Sequence, residues 1–546
     1  MPPSIRSTQR TPLSCTACYS RKVKCSKEIP CRECISRGVA LECRRETVRV
    51  RGQLRSADQP NRNLSYEALL QENARLSALL AAQDASGSFM DPPSPSGSLI
   101  DMTEQYEKRL LNVVGQTNES RSVFDDSHVH VPSRFCSEIL LQHADVWTSW
   151  LHFSFFIPDF RLEHDQFWLR FATYSLGAED PLWLAIYFGV LSSALFFMDD
   201  TEFSHCHPPL FSQEALLRNW YDAALYFLDK GDFMQKTSIR VVQAVTILGI
   251  VATNIGDTCR HSNLWACAVR MAQQLNLGSD HENLAQTIID REARRRLWWT
   301  LVICEWLPIP CRTPCINDTD FDCALPADVD DNQLQASRLG GMRPPKKEPR
   351  PIQYHIAMCR IATVMYQLRS KLRLRRWRAA EIAQFVFAAD DQLGTIIGEL
   401  PTHLQNDELE TPATLQRDER FPWIPWQKKS LTMILLYYRI AINRVLQSHW
   451  LEGSTNYARA RSICLSSAVA IAGASTNTAN FSRMRPWGHA MLVFSATVTL
   501  ALEVQGGTSD YSESIAQGKE FLRQVESQNK FARQALQILN DLIDDY

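Results

Sequence analysis

Six cysteines fall between positions 15 and 43, spaced Cys15-x2-Cys18-x6-Cys25-x5-Cys31-x2-Cys34-x8-Cys43, and no other feature of the chain restricts its fold so tightly. Two residues between thiolates let a single turn present both sulfurs to one tetrahedral ion at ~2.3 Å, and the pattern offers two such pairs. Two tetrahedral ions need eight coordination positions, so six thiolates suffice only if two sulfurs bridge. The segment is a pseudo-repeat, CxxC-x6-C followed by CxxC-x8-C, in which Cys15 and Cys31 open equivalent halves. That makes them the natural bridging candidates. A disulfide framework would instead need an oxidising compartment. The opening MPPSIRSTQRTPLS is polar and basic rather than leader-like, so the thiols are expected to stay reduced.

Charge divides along the same line. The whole chain, 546 residues with a formal net charge of −2, looks neutral, yet residues 1–55 carry 13 Lys/Arg against 4 Asp/Glu. A basic head therefore sits on an acidic body, which points to a polyanion partner for the head. Within the cluster the positive residues are Arg21, Lys22, Lys24 and Lys27 in the first half and Arg32 and Arg37 in the second. They offset thiolate charge and suit phosphate.

The cysteine spacing, the run Arg21-Lys22-Val23-Lys24-Cys25-Ser26 and Pro30 ahead of the fourth cysteine resemble the fungal Zn2Cys6 binuclear-cluster transcription factors. The resemblance implies two Zn2+ ions, one held by Cys15, Cys18, Cys25 and Cys31 and the other by Cys15, Cys31, Cys34 and Cys43. It implies that a short helix between Cys18 and Cys25 enters the major groove of double-stranded DNA, with Lys22 reading guanine in a CGG-like half-site and Arg21 or Lys24 on phosphates. A nuclear location follows from the same likeness.

At 546 residues the chain should hold two or three units. Composition places a disordered arm at 1–14, the DNA-binding module at 15–43, a basic linker at 44–63, a short helix at 64–84, a Pro/Ser/Gly-rich linker at 85–132 and a large body at 133–546. The short helix reads as a candidate coiled coil for a homodimer, with Tyr66, Leu69, Asn73, Leu76 and Leu80 on its seam and Asn73 as the polar residue that sets register. An amphipathic helix packed on the body is the alternative.

The body is expected to be all-α, because apolar residues recur at helical spacing, as in Leu264, Ala268, Met271 and Leu275, then Ile289, Ala293, Leu297, Leu301 and Cys304. The 17-residue uncharged run from Leu182 to Met198 reads as a buried core helix, since acidic rather than basic residues flank it. A loop is expected over 318–351. Residues 262–329, with Glu292, Arg294, Arg295, Arg296, Trp298 and Trp299 at their centre, resemble the middle homology region of the same fungal regulators. They depart from it at Cys304-Glu305 and at Cys311-Arg312-Thr313-Pro314. A helix spreads three consecutive arginines by about 100° each, so ion pairing rather than a phosphate track is their expected role. Cys304, Cys311, Cys315 and Cys323 lack a CxxC turn and read as ordinary core cysteines.

No GxSxG, P-loop, dinucleotide-binding glycine pattern or HExxH occurs, so no enzyme is expected. The expected function is sequence-specific regulation of RNA polymerase II transcription, which the resemblance extends to a fungal metabolic or secondary-metabolite gene cluster. The rival from another class is a zinc-organised protein-interaction scaffold.

Overall fold

The structure is a computed structural model. It describes residues 7–8, 13–27, 30–39, 43–44, 48–50, 53–55, 101–114, 124–171, 176–206, 211–280, 286–338, 348–374, 377–476, 487–507, 511–526 and 529–544. The chain divides into two compact units, Met1–Gly97 and Ser98–Tyr546. The seam residues Tyr66, Leu69, Asn73, Leu76 and Leu80 lie outside the described residues.

In the first unit, helices α1 (Thr16–Ser20) and α2 (Arg32–Ile35) are each a turn or so long. A three-stranded sheet joins β1 (Ser7–Thr8), β2 (Val48–Val50) and β3 (Gln53–Arg55) in the order β1-β2-β3. β1 runs parallel to β2 with Ser7 opposite Arg49, while β2 and β3 are antiparallel with Val50 opposite Gln53. Strands therefore appear where composition suggested an arm and a linker. The signal was a Val-Arg-Val alternation closed by an Arg51-Gly52 pair, the length of a two-residue hairpin loop.

The second unit is helical throughout its described residues. Its centre is α6, Pro181–Phe197, counting α3 (Met102–Val114), α4 (Arg134–Trp147) and α5 (Ile157–Phe171) before it. Asp180 caps α6 by accepting from Leu182 N at 3.0 Å, and Pro181 occupies the first helical position, where its missing N–H costs nothing. Every residue of this helix from Leu182 to Phe197 is buried, as an all-round apolar helix requires. It packs against Gln213–Lys230, Ile239–Ala252 and α4, with Trp183 stacked on Tyr187 at 5.2 Å and Phe188 on Phe227 at 5.7 Å. Among the described residues, no helix is long and apolar enough to cross a membrane. One continuous apolar cluster runs from Leu110 to Leu542.

That cluster moves the start of the body forward from residue 133. The segment expected to be linker contains α3, whose Glu107 is 0% exposed and pairs with Arg444, itself 3% exposed, at 2.7 and 3.1 Å. Arg444 Nε also donates to Asp101 at 2.7 Å, and Tyr437 OH donates to Glu107 at 3.1 Å. Composition could not reveal this, because the partner of Glu107 is 337 residues away. The expected loop at 318–351 likewise contains a helix, Asp331–Arg338. Asp330 accepts from Gln333 N at 2.7 Å and Gln333 Oε1 accepts from Asp330 N at 3.2 Å, a reciprocal cap.

Candidate metal centre and nucleic-acid interface

The two helices of the first unit exist to aim sulfurs. Cys15 is the N-cap of α1 and Cys31 the N-cap of α2, each in extended backbone conformation, so that the next turn carries Cys18 or Cys34 back towards the same point. Sγ of Cys15 lies 3.8 Å from that of Cys31 and 3.8 Å from that of Cys34, and Cys18 Sγ lies 3.5 Å from Cys31 Sγ. The edge of a tetrahedron with metal–sulfur bonds of ~2.3 Å is ~3.8 Å, so these separations suit thiolates sharing an ion. The sulfurs form two groups, Cys15, Cys18, Cys25, Cys31 and Cys15, Cys31, Cys34, Cys43, with all ligand atoms in a group within 4.8 Å of one another. Cys15 and Cys31 belong to both groups. All six cysteines are buried, and they alone make up the apolar core of the module, with Ala17 and Val39 against them.

Backbone N–H groups complete the setting. Cys18 N donates to Cys15 Sγ at 3.3 Å, Cys31 N to Cys43 Sγ at 3.2 Å and Lys27 N to Cys25 Sγ at 3.4 Å, which orients the sulfurs and favours negative charge on them. Burial pushes every thiol up. For Cys15 and Cys31 the N–H groups of Cys18 and Cys34, with the neighbouring sulfurs, outweigh burial and hold the thiol below its ordinary value. For Cys34 burial prevails, with the hydrogen bond to Cys31 adding to it, and the thiol is pushed up to about 12. The two sulfurs shared between the groups are thus the two most readily ionised by their surroundings. Two Zn2+ ions bound here cross-link α1, α2 and the segments carrying Cys25 and Cys43.

Around this centre Arg21, Lys22, Lys24, Lys27, Arg32 and Arg37 are all exposed. The helix that presents the first four differs in position from expectation. α1 spans Thr16–Ser20, and residues 21–26 form its exit turn rather than a helix between Cys18 and Cys25. The exit is a Schellman motif, with Lys22 N donating to Tyr19 O at 3.1 Å and Val23 N to Cys18 O at 3.2 Å. Such a turn requires a left-handed residue, and here it is Lys22, at φ 55°. Lys27 is left-handed too, at φ 67°.

The residues singled out in the body perform structural work. Arg296 pairs with Glu292 at 3.0 Å and Asp331 at 2.7 Å, Arg295 with Asp280 at 2.9 Å, and Arg294 donates to Leu275 O at 2.6 Å. Trp299 donates to Ala324 O at 2.8 Å and Trp306 to Ile316 O at 2.9 Å, so the indoles fasten the 316–324 loop. Gly278 lets Trp298 close over it, since a Cβ there would lie 2.6 Å from the indole. Glu305, buried at one of the two departures from the middle-region pattern, accepts from Trp265 at 3.0 Å and pairs with Arg312, from the other departure, at 2.9 Å. Among the described residues, Cys304, Cys311, Cys315 and Cys323 belong to no metal-holding group. Cys304 Sγ lies 3.6 Å from His152 Nε2.

Two family profiles match. The fungal Zn(2)-Cys(6) binuclear cluster domain covers residues 13–52, and the fungal specific transcription factor domain covers residues 151–375. A cysteine module of this geometry ahead of an all-helical body defines a DNA-binding transcription factor rather than an enzyme. The chain belongs to the Zn2Cys6 fungal transcription factors, whose binuclear cluster holds two zinc ions. Probable transcription factor lepB of Aspergillus flavus is 23% identical over 459 residues, covering 76% of this chain and 78% of that protein. The agnestins biosynthesis cluster transcription factor AgnL11 of Paecilomyces divaricatus is 21% identical over a 608-residue alignment, covering 98% and 85%. The solved structure of the K. lactis CBF3 core has a similar fold, with a TM-score of 0.55 and 12% identity over 81% of this chain and 88% of that one.

Proposed function

We propose that this protein is a nuclear, sequence-specific regulator of RNA polymerase II transcription that recognises CGG-like half-sites through Lys22. The observation that carries the reading is the backbone of Lys22. A left-handed conformation costs an L-residue roughly 1–2 kcal/mol and is ordinarily given to glycine. A lysine kept there, exposed at the rigid exit of a metal-anchored helix, is held in a costly geometry that aims a cation outward. Lysine donates to the O6 and N7 acceptors that guanine alone presents together in the major groove. Arg21, Lys24, Lys27, Arg32 and Arg37 then hold phosphates. Residues 65–83 are the candidate dimerisation coil, with Tyr66, Leu69, Asn73, Leu76 and Leu80 on its seam. Control of a biosynthetic gene cluster is supported by the printed descriptions of relatives such as AgnL11, at low identity. The test is genome-wide mapping of bound sites, in which an enriched CGG-containing motif is expected. A map without any enriched motif would overturn the reading in favour of a zinc-organised scaffold.

A further inference from the structure

The second unit contains a cleft of about 570 Å3, its open mouth included. Four helices and the start of Asp331–Arg338 surround it, and the walls are apolar, formed by Leu141, Phe155, Phe160, Val190, Ile247 and Ile250. That volume and lining suit a small organic molecule. Most polar groups in the cleft are already engaged. Ser193 donates to Val190 O at 2.9 Å, and Thr148 to Ala144 O at 3.1 Å. His152 Nδ1 lies 2.9 Å from Thr246 O, while Asp331 accepts from Ile157 N at 3.0 Å and from Arg296 at 2.7 Å.

Asp145 stands apart. Its carboxylate meets Arg161 at 2.6 Å, with the two side chains 39% and 49% exposed. An ion pair so exposed contributes at most about 1 kcal/mol, so Arg161 can yield its place to another cation. Burial, and then the nearby Asp331, push the Asp145 carboxyl above its usual range against the pull of Arg161, so added positive charge beside it is welcome. Burial holds His152 below its usual range, which leaves the floor without a competing cation.

We propose that the cleft binds a small organic cation with an apolar body, of the arylalkylamine class, its ammonium on Asp145 in place of Arg161 and its ring against Phe155 and Phe160. The experiment is isothermal titration of the full chain with 2-phenylethylamine, with phenylacetate run in parallel. The amine is expected to bind at least about tenfold more tightly than the acid, and Asp145→Asn to weaken it by about tenfold, the loss of one charged contact. Ile250→Trp, on the half-exposed part of the wall, should abolish binding while the thermal midpoint stays unchanged. Failure of the amine to bind at millimolar concentration, phenylacetate binding as tightly, or binding unaltered by Asp145→Asn would overturn the proposal. The Asp145 variant, at the mouth, decides the matter even if the tryptophan destabilises the fold. DNA binding by the first unit is not involved, so the two readings fail independently.

Discussion

The halves of the cysteine module repeat one another at an offset of 16 residues. Tyr19 N bonds to Cys15 O as Ile35 N bonds to Cys31 O, each at 3.0 Å. Val23 N bonds to Cys18 O as Val39 N bonds to Cys34 O, at 3.2 and 3.0 Å. The left-handed exit residue is where they part. In the second half it is Gly38, at φ 71°, for which that conformation is unstrained, and in the first it is Lys22. Charge follows the same division, since the first half carries Arg21, Lys22, Lys24 and Lys27 while the second sets Glu33 among Arg32 and Arg37. One backbone design thus serves two ends. The second half is built for economy of folding, and the first gives up some stability to place a cation.

The sharpest way to break the equivalence is through the metal. Cys15→Ser or Cys31→Ser removes a sulfur common to both groups and should leave residues 1–60 unable to hold either ion. Cys43→Ser touches one group and should leave one ion in place. Because structural zinc is worth about 10–16 kcal/mol of folding free energy in small modules, these are the largest effects, and native mass spectrometry reads them as zinc per chain. Two ions retained after Cys15→Ser would refute the shared-ligand arrangement.

Lys22→Ala keeps the left-handed strain and removes the amine. It should lose about 1–3 kcal/mol on a CGG duplex, with little change on a scrambled one beyond a single charge. Equal weakening on both duplexes would assign Lys22 to phosphate and move base reading to Lys24.

Glycine exchange sharpens the contrast further. Lys22→Gly should lose the same DNA discrimination yet raise the urea midpoint of the zinc-loaded module, by about 1 kcal/mol in stability, whereas Gly38→Ala should lower it by a similar amount. Opposite signs are the expectation, and matching signs would mean that the two exits are not equivalent in solution. Smallest of all, Arg21→Ala should weaken every duplex alike and reduce the salt slope by about 0.9, one phosphate contact. An unchanged slope in titrations at several salt concentrations would take Arg21 off the DNA backbone.

Much of this was legible in the residues because its causes are local. Ligand spacing is set within a turn, so the pairing of Cys15 with Cys18 and of Cys31 with Cys34 follows from counting, and the shared role of Cys15 and Cys31 from the pseudo-repeat. Helical period revealed the core helix at Leu182, and the angular spread of Arg294–Arg296 pointed to their ion pairs. What escaped has non-local or silent causes. Gly38 advertises a left-handed turn, but a lysine at Lys22 does not, and only its equivalence to Gly38 could have disclosed it. The hairpin around Gly52 was masked by the basic composition of its segment. Glu305, opposite Arg312, could not be recognised as the anchor of a proline-rich turn before the turn had a shape.

The clasp between Glu107 and Arg444 also orders events in time. At roughly 5–20 residues per second, the 337 residues between them take a ribosome between about 15 and 70 s. Through that interval α3 has emerged without the guanidinium that neutralises its buried carboxylate, so the helix cannot seat until the C-terminal third arrives. A nascent chain arrested before residue 444 should accordingly leave Met102–Val114 open to protease, and protection at that stage would show that the helix docks without its counter-ion. Birth order thus makes the first helix of the body one of the last to be secured.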